Sequence, residues 1–313
     1  MSDHLNHECG LALIRLLKPL EYYKKKYGTS TFGLNKLYLM LEKQHNRGQD
    51  GAGFASIKLD CSPGERFMHR ERSANPNPIK EIFELSNNRI QSLIRNNSNL
   101  KGNLDLQKKE IPHISELFLG HVRYGTFGKN SKEAVHPFLR QNNWMNRNLI
   151  VAGNFNMTNN KELFDDLVSL GQHPKEMSDT VTVMENIGHF LDEAVIKIYK
   201  KLRKEGFSKP DASKIIGKQL DIPKVLKKAI KNWDGGYVIG GMIGHGDAFV
   251  VRDPSGIRPA YFYHDDEVAV VASERPVIQT VFNTAFEDIN EIDPGNCVII
   301  KKDGKIIQKN ITK

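Results

Sequence analysis

The chain has 313 residues, with 45 Lys and Arg against 37 Asp and Glu, which gives a net charge of +8. Apolar residues make up 39% of the chain and charged residues 26%, which is typical of a globular protein and excludes a mainly disordered one. No apolar stretch approaches the roughly 20 residues that a membrane-spanning helix needs. The polar amino end lacks the pattern of a signal peptide. We therefore expect a cytoplasmic protein that does not bind a membrane.

The lysine clusters do not by themselves predict a nucleic-acid partner. They lie near residues 24–26, 197–204 and 224–231, and runs of this kind are typical of solvated helix faces. The three cysteines are widely spaced, without a CxxC pair or metal-ligand spacing. We therefore expect no nucleic-acid partner and no metal or other cofactor in this domain.

The first half of the chain predicts strands with one helix between the first two. A helix is predicted from a cap at Ser30 or Thr31 to about residue 44, where leucines recur at helical spacing. Residues 86–110 are rich in Asn, Ser, Lys and Gln, which indicates a surface insertion with a helical piece. The predicted strands are 9–16, 51–59, 117–124 and 148–155.

The second half predicts helices first and strands afterwards. Asn160 is expected to cap a short helix, and Ser178 or Asp179 a long one with an apolar stripe; two more helical segments precede Trp233. Short connections between the late strands exclude crossover helices, so these strands should pair antiparallel and the fold class should be α+β. The late strands are predicted at 236–243, 248–252, 260–264, 267–273 and 296–301.

Five segments carry polar residues that a plain strand or turn does not need: Cys9-Gly10, 45–53, 120–126, 153–159 and Ser178-Asp179. Together they suit acyl transfer, because a cysteine can attack a carbonyl and an Asn amide with a backbone N–H can hold the oxyanion. An Arg and an Asp can bind the carboxylate and ammonium of an amino acid. Taken singly, each residue also has a structural explanation: Cys9 as a small apolar residue, Arg123 as an ion pair and Asp179 as a helix cap.

In this order the segments resemble the class II glutamine amidotransferases, which are N-terminal nucleophile hydrolases. Cys9-Gly10, followed by an apolar strand, matches the nucleophile motif of the family. The other family motifs are matched by residues 44–53, 120–126, 154–159 and 178–179. Within the family, the motifs fit best the glutaminase half of the amidophosphoribosyltransferases, through residues 244–246, 252–259, 272–274 and 293–295. Asparagine synthetases share a related Arg-Asp-Pro stretch, so they stay a less favoured match.

The resemblance implies a four-layer αββα sandwich of two antiparallel sheets, within a glutaminase domain of residues 9–313. Residues 1–8 would be a propeptide, because the family works with its cysteine as the free amino end. Full-length relatives also carry a phosphoribosyltransferase domain, whose signature is absent from this chain. We therefore expect the chain to be the glutaminase half of a longer protein.

The resemblance also assigns the catalytic groups. Cys9 would be the nucleophile, with its own α-amine as general base. The side chain of Asn154 and the backbone N–H of Phe155 would hold the oxyanion. Glutamine would be hydrolysed to glutamate and ammonia through a γ-glutamyl thioester.

Four further residues are expected to contact or position the substrate. Arg123, assisted by Thr126, would hold the α-carboxylate of glutamine, and Asp179 its α-ammonium. Arg47 would lie near the nucleophile and position a closing loop. The ammonia would pass to phosphoribosyl pyrophosphate in the missing domain, which would use Mg²⁺. Some relatives carry an iron–sulfur cluster, whose ligands would lie mostly outside this segment, and full-length relatives are homo-oligomers.

Two departures from the family pattern keep alternatives open. Asn46 is an extra residue between His45 and Arg47. Phe155 replaces a glycine, and unlike glycine it cannot adopt a positive φ cheaply; Gly153 stands two positions earlier. The alternatives are a glutaminase domain that serves another acceptor and a non-catalytic glutaminase-like module.

Overall fold

The computed structural model describes residues 8–125 and 131–312, which form two compact units. Unit 1 comprises the described residues of Met1–Pro137 together with Ala152–Asn154 and Ala260–Glu291. Unit 2 comprises Phe138–Val151, Phe155–Pro259 and the described residues of Ile292–Lys313. Each unit has its own cluster of buried apolar side chains.

Strands and helices are numbered in chain order. The strands are β1 (Gly10–Leu16), β2 (Gly51–Ile57), β3 (Met68–Ser73), β4 (Leu117–Arg123), β5 (Phe138–Arg140), β6 (Leu149–Met157), β7 (Gly235–Ile243), β8 (Ala248–Arg252), β9 (Tyr261–His264), β10 (Val268–Ala272), β11 (Asn290–Glu291), β12 (Asn296–Ile300) and β13 (Ile306–Asn310). The α-helices are α1 (Leu20–Tyr27), α2 (Phe32–Lys43), α3 (Pro78–Asn96), α4 (Leu104–Glu110), α5 (Asn160–Ser169), α6 (Asp179–Lys204), α7 (Lys209–Gln219), α8 (Ile222–Ala229) and α9 (Arg275–Phe282).

The strands form two sheets. One has seven strands in the order β11-β9-β10-β1-β4-β2-β3, and the other has six in the order β13-β12-β8-β7-β6-β5. The central residues of β6, Ala152–Asn154, group with unit 1. The late strands pair antiparallel as predicted, but the sequence does not indicate that they are divided between the two sheets.

Side-chain alternation along β1 determines which residues face the helices. Ala12, Ile14 and Leu16 belong to the apolar cluster of unit 1, to which α2 contributes three fully buried leucines. Burying one such side chain contributes about 1.5–3 kcal/mol. Because alternate residues face opposite sides of a sheet, Leu11 projects to the other face together with its register partner His121 on β4. Cys9 stands two positions before Leu11, so the same alternation places its side chain on the face of Leu11.

The region predicted as a surface insertion differs from the structure. Helix α3 begins at Pro78 and packs on β2 and β3, with Ile79, Ile82, Phe83 and Ile90 buried. These residues lie on one helix face at the spacing that core packing needs. The many Asn, Ser and Gln residues of α3 and the segment after it conceal this pattern in the sequence.

The long helix of unit 2 follows the prediction. Ser178 is the cap of α6, and its Oγ accepts a hydrogen bond from the Val181 N–H at 3.4 Å. The buried face of α6 packs on α5, α7 and α8. None of the helices in the described ranges has the length and apolar character needed to span a membrane.

Candidate active site

Cys9 lies directly before β1 and is half-buried. Its Sγ accepts a hydrogen bond from the Tyr124 N–H at 3.4 Å, just beyond the end of β4. Two hydrogen bonds to Ser273 hold the start of β1: the Leu11 N–H donates to Ser273 Oγ at 2.9 Å, and the Ser273 N–H donates to the Leu11 carbonyl at 3.1 Å. The thiol is therefore placed where strands β1 and β4 meet.

The other two thiols are poorly suited to nucleophilic attack. Burial raises the pKa of the Cys297 thiol to about 12, and burial also raises the pKa of the Cys61 thiol. The thiolate is the reactive form of cysteine, so a raised pKa lowers the reactive fraction at neutral pH. Cys9 is the best candidate nucleophile of the three.

Arg47 connects Cys9 to two carboxylates. Its Nε donates to the carbonyl of Cys9 at 3.2 Å, its Nη1 to Glu274 at 3.0 Å and its Nη2 to Glu8 at 3.0 Å. Arg47 ends a 3-10 helix that begins at His45, and the extra residue Asn46 lies within this turn with an exposed side chain. The insertion is thus accommodated without displacing Arg47 from the predicted nucleophile.

The segment after Arg47 holds the end of β4. A Cβ on Gly48 would lie 2.4 Å from the carbonyl carbon of Arg123, so only glycine permits this approach. The Asp50 N–H donates to the Arg123 carbonyl at 3.0 Å, and Asp50 Oδ2 accepts from the Gly125 N–H at 2.8 Å. Arg123 is buried at this strand end. Thr126, predicted to assist it, lies outside the described residues.

Asn154 lies on β6 and is 5% exposed. Its Nδ2 donates to Glu8 Oε2 at 3.1 Å, and the same carboxylate oxygen accepts from Arg47. The amide of Asn154 therefore already binds an anionic oxygen that belongs to the residue next to Cys9. This is the property that an oxyanion donor needs.

Phe155 follows Asn154 within β6 and packs against the apolar cluster of unit 2. The expected backbone strain is not found. Among the described non-glycine residues, positive φ occurs at Asp60, His113 and Asn283, and not at Phe155. An extended strand residue needs no glycine, which explains why phenylalanine is tolerated at this position. The oxyanion role of its N–H stays a prediction.

Asp179 is the first residue of α6 and belongs to unit 2, whereas Cys9, Arg47, Arg123 and Asn154 belong to unit 1. Its Oδ2 accepts from the Met157 N–H at 3.2 Å. Burial raises the pKa of the Asp179 carboxyl, with the Met157 hydrogen bond acting in the opposite direction. Its role as a ligand of the substrate ammonium stays a prediction.

Two residues of this site have no role assigned from the sequence. Glu8 lies in the expected propeptide, and Glu274 lies in the 272–274 motif, at the cap of α9. Glu274 is 227 positions from Arg47, so no local pattern could pair them. Within the described ranges, no three His, Cys, Asp or Glu side chains lie close enough to hold a metal ion.

The chain is similar to curated proteins and to solved structures, but to no family model. The chain is 26% identical to an amidophosphoribosyltransferase of Pasteurella multocida over 276 residues, which cover 86% of this chain and 44% of that protein. It is 24% identical to the enzyme of the same name from Methanocaldococcus jannaschii over 277 residues, 88% of this chain and 45% of that protein.

Solved structures show the same likeness. The glutamine phosphoribosylpyrophosphate amidotransferase of B. subtilis, complexed with ADP and GMP, matches with a TM-score of 0.57 and 21% identity over 97% of this chain and 49% of that one. A structure described as the allosteric regulatory enzyme of purine biosynthesis matches with a TM-score of 0.58 at the same identity and coverage. The predicted α+β amidotransferase fold and the resemblance to amidophosphoribosyltransferases are confirmed. The chain spans less than half the length of the curated relatives that it matches.

Proposed function

We propose that the chain hydrolyses glutamine to glutamate and ammonia with Cys9 as its nucleophile, as the glutaminase part of an amidophosphoribosyltransferase. The observation that carries this proposal is the position of Glu8. Its carboxylate binds both Asn154 and Arg47, so the residue joined to Cys9 contacts the candidate oxyanion donor. Similarity to amidophosphoribosyltransferases over most of the chain supports the same assignment.

Removal of residues 1–8 supplies the general base. The nitrogen of Cys9 is not basic in a peptide bond, because its lone pair is delocalised into the amide. A free α-amine ordinarily has a pKa of about 7.7 to 8.0, which suits proton exchange near neutral pH. In the processed protein this amine takes the proton of the Cys9 thiol.

The thiolate then attacks the side-chain amide carbon of glutamine. Negative charge develops on the amide oxygen, where Asn154 Nδ2 and the Phe155 N–H stabilise it. The C–N bond breaks and ammonia leaves with a proton returned by the α-amine. Water then attacks the γ-glutamyl thioester and the C–S bond breaks. Glutamate is released and the Cys9 thiol is regenerated.

The resemblance to the class II glutamine amidotransferases implies how the substrate is bound and where the ammonia goes. Arg123 and Thr126 bind the α-carboxylate of glutamine, Asp179 binds its α-ammonium, and Arg47 positions the closing loop. In the full-length protein the ammonia reaches phosphoribosyl pyrophosphate and gives phosphoribosylamine, in a homo-oligomer whose second domain uses Mg²⁺. The protein acts in the cytoplasm.

The decisive experiment compares processed and unprocessed chains. Mass spectrometry identifies the amino end of each preparation, and the release of glutamate from glutamine is measured for both. We expect activity from chains that begin at Cys9 and almost none from chains that retain Glu8. Equal rates would show that the α-amine is not the base.

Asp179→Asn should raise the KM for glutamine by about 10- to 100-fold with little change in kcat, because a hydrogen bond between charged groups is lost. Protonation of the Asp179 carboxylate removes the same negative charge as the substitution. In the wild type, KM should therefore rise as the pH falls through the pKa of Asp179, which burial places above its ordinary value. The variant should lack this rise. Steady-state kinetics from acidic to neutral pH measure both effects.

The matched control for Asp179 is Asp165→Asn. Asp165 is exposed in the same unit and pairs with Lys161. Its substitution should leave KM and its pH dependence unchanged. An Asp179→Asn variant with normal KM would remove Asp179 from substrate binding.

The two features that favour the non-catalytic alternative do not strain the backbone. Asn46 is accommodated in a 3-10 turn, and Phe155 adopts a φ that any residue tolerates. Labelling of Cys9 by a glutamine-like electrophile would count further against that alternative. A glutaminase that serves another acceptor is tested by supplying phosphoribosyl pyrophosphate to the full-length protein.

A further inference from the structure

Two histidines of unit 1 hold the residue that precedes the candidate oxyanion donor. The Gly153 N–H donates to His136 Nδ1 at 3.2 Å, and His121 Nε2 donates to the Gly153 carbonyl at 3.0 Å. The two imidazole rings are in contact, with centroids 4.4 Å apart. Both polar backbone groups of Gly153 are thus bound by side chains, directly before Asn154.

These contacts fix the tautomer of each ring. An N–H of the backbone can only donate, so Nδ1 of His136 is the unprotonated nitrogen. A carbonyl can only accept, so Nε2 of His121 carries its proton. Each ring therefore offers one specific nitrogen to Gly153, and its other tautomer would break the contact.

Both rings are held in the neutral form. Burial lowers the pKa of His121 to about 3 and holds that of His136 well below its usual range, and the nearby Arg123 acts in the same direction on both. Arg72 also lowers the pKa of His136. The Nδ1 of His121 is buried and has no hydrogen-bond partner among the described residues, so a proton there would have no acceptor.

We propose that His121 and His136 are positioning residues of the oxyanion hole, which clamp the Gly153 backbone so that Asn154 and the Phe155 N–H are aimed at the developing negative charge. This inference rests on the proposed function. Both histidines bind the Gly153 backbone, so we expect them to act on the reaction through Asn154 and Phe155. Their effect is geometric, since a shift of about 1 Å in a catalytic group costs about 100-fold in rate.

Isosteric substitutions separate positioning from general stability. Asn places an acceptor where His136 has Nδ1, and Gln places a donor where His121 has Nε2, whereas Leu offers neither. In the processed protein we expect His136→Leu and His121→Leu to lose about 100-fold in kcat, with KM changed less than about threefold, because the oxyanion exists only beyond the ground state. His136→Asn and His121→Gln should recover kcat to within about tenfold of the wild type.

The control for loss of a buried histidine is His69→Leu. His69 is 8% exposed in unit 1, and its Nε2 contacts the carbonyl of Arg66. This variant should lower the melting temperature without lowering kcat. If the processed wild type is active and both His121→Leu and His136→Leu keep a normal kcat, this inference is overturned. The proposed function would then remain. A processed wild type without glutaminase activity would overturn the proposed function and this inference with it.

A measurement on the wild type keeps the inference testable if the leucine variants do not fold. Nitrogen-15 NMR of the histidine rings reports the protonated nitrogen directly. We expect an unprotonated Nδ1 on His136 and a protonated Nε2 on His121, unchanged from about pH 5 to 8, where an ordinary histidine titrates. The opposite tautomer on either ring would overturn the clamp.

Discussion

Cys9→Ala should reduce glutamine hydrolysis by about 10⁶-fold in kcat, the size of effect that removal of the nucleophile has in another hydrolase. The fold should be retained, because Cys9 is half-buried outside both apolar clusters and loses a single sulfur atom. The measurement is glutamate release together with thermal unfolding. The wild type and the Cys9→Ala variant should both be produced as chains that begin at residue 9. Removal of the expected propeptide then cannot differ between them.

Cys61→Ala is the matched control for this experiment. Cys61 is also half-buried in unit 1, but burial raises the pKa of its thiol, and it lies apart from the contacts that connect Cys9, Arg47 and Asn154. Its variant should keep wild-type kcat. Substantial turnover by Cys9→Ala, or its loss in Cys61→Ala, would place the nucleophile elsewhere.

Asn154→Ala should lower kcat by about 10²- to 10³-fold and leave KM nearly unchanged, because one oxyanion donor is removed. The physical reason is visible in the structure, where Asn154 Nδ2 already donates to a carboxylate oxygen. Asn154→Asp should be at least as damaging, since a second negative charge would face the oxyanion. Steady-state kinetics with glutamine provide the test.

Asn156→Ala provides a neighbour for comparison. Asn156 stands two positions further along β6 with an exposed side chain, and its substitution should change neither kinetic constant. If Asn154→Ala instead raises KM and keeps kcat, Asn154 binds the ground-state substrate. That result would contradict the proposed role of Asn154 as an oxyanion donor.

The parts of the fold that could be predicted are those whose pattern is local. The strand at β1, the helix at α2 and the cap at Ser178 each depend on neighbouring residues. Helix α3 is hard to recognise because its buried face, with Ile82 and Phe83, lies among many polar residues. The division of the late strands between two sheets depends on pairing across the chain, as in β1 with β10.

The candidate site, too, could be predicted only where the signal is local in the sequence. Motifs indicate Cys9, Arg47 and Asn154 individually, and these residue types suggest acyl transfer. The contacts that organise them join distant positions, such as Arg47 with Glu274. No motif includes His136, and its contact with Gly153 is visible in the structure alone.

The shared carboxylate oxygen of Glu8 has a consequence for maturation. Glu8 carries the side chain of glutamate, which is also what glutamine becomes after hydrolysis. On the proposed function, the unprocessed protein therefore holds a tethered copy of its own product on Asn154 and Arg47. In this proposal, cutting the bond between Glu8 and Cys9 would create the amine and release the carboxylate from Asn154 and Arg47, so the base could not form while the product-like side chain is still attached.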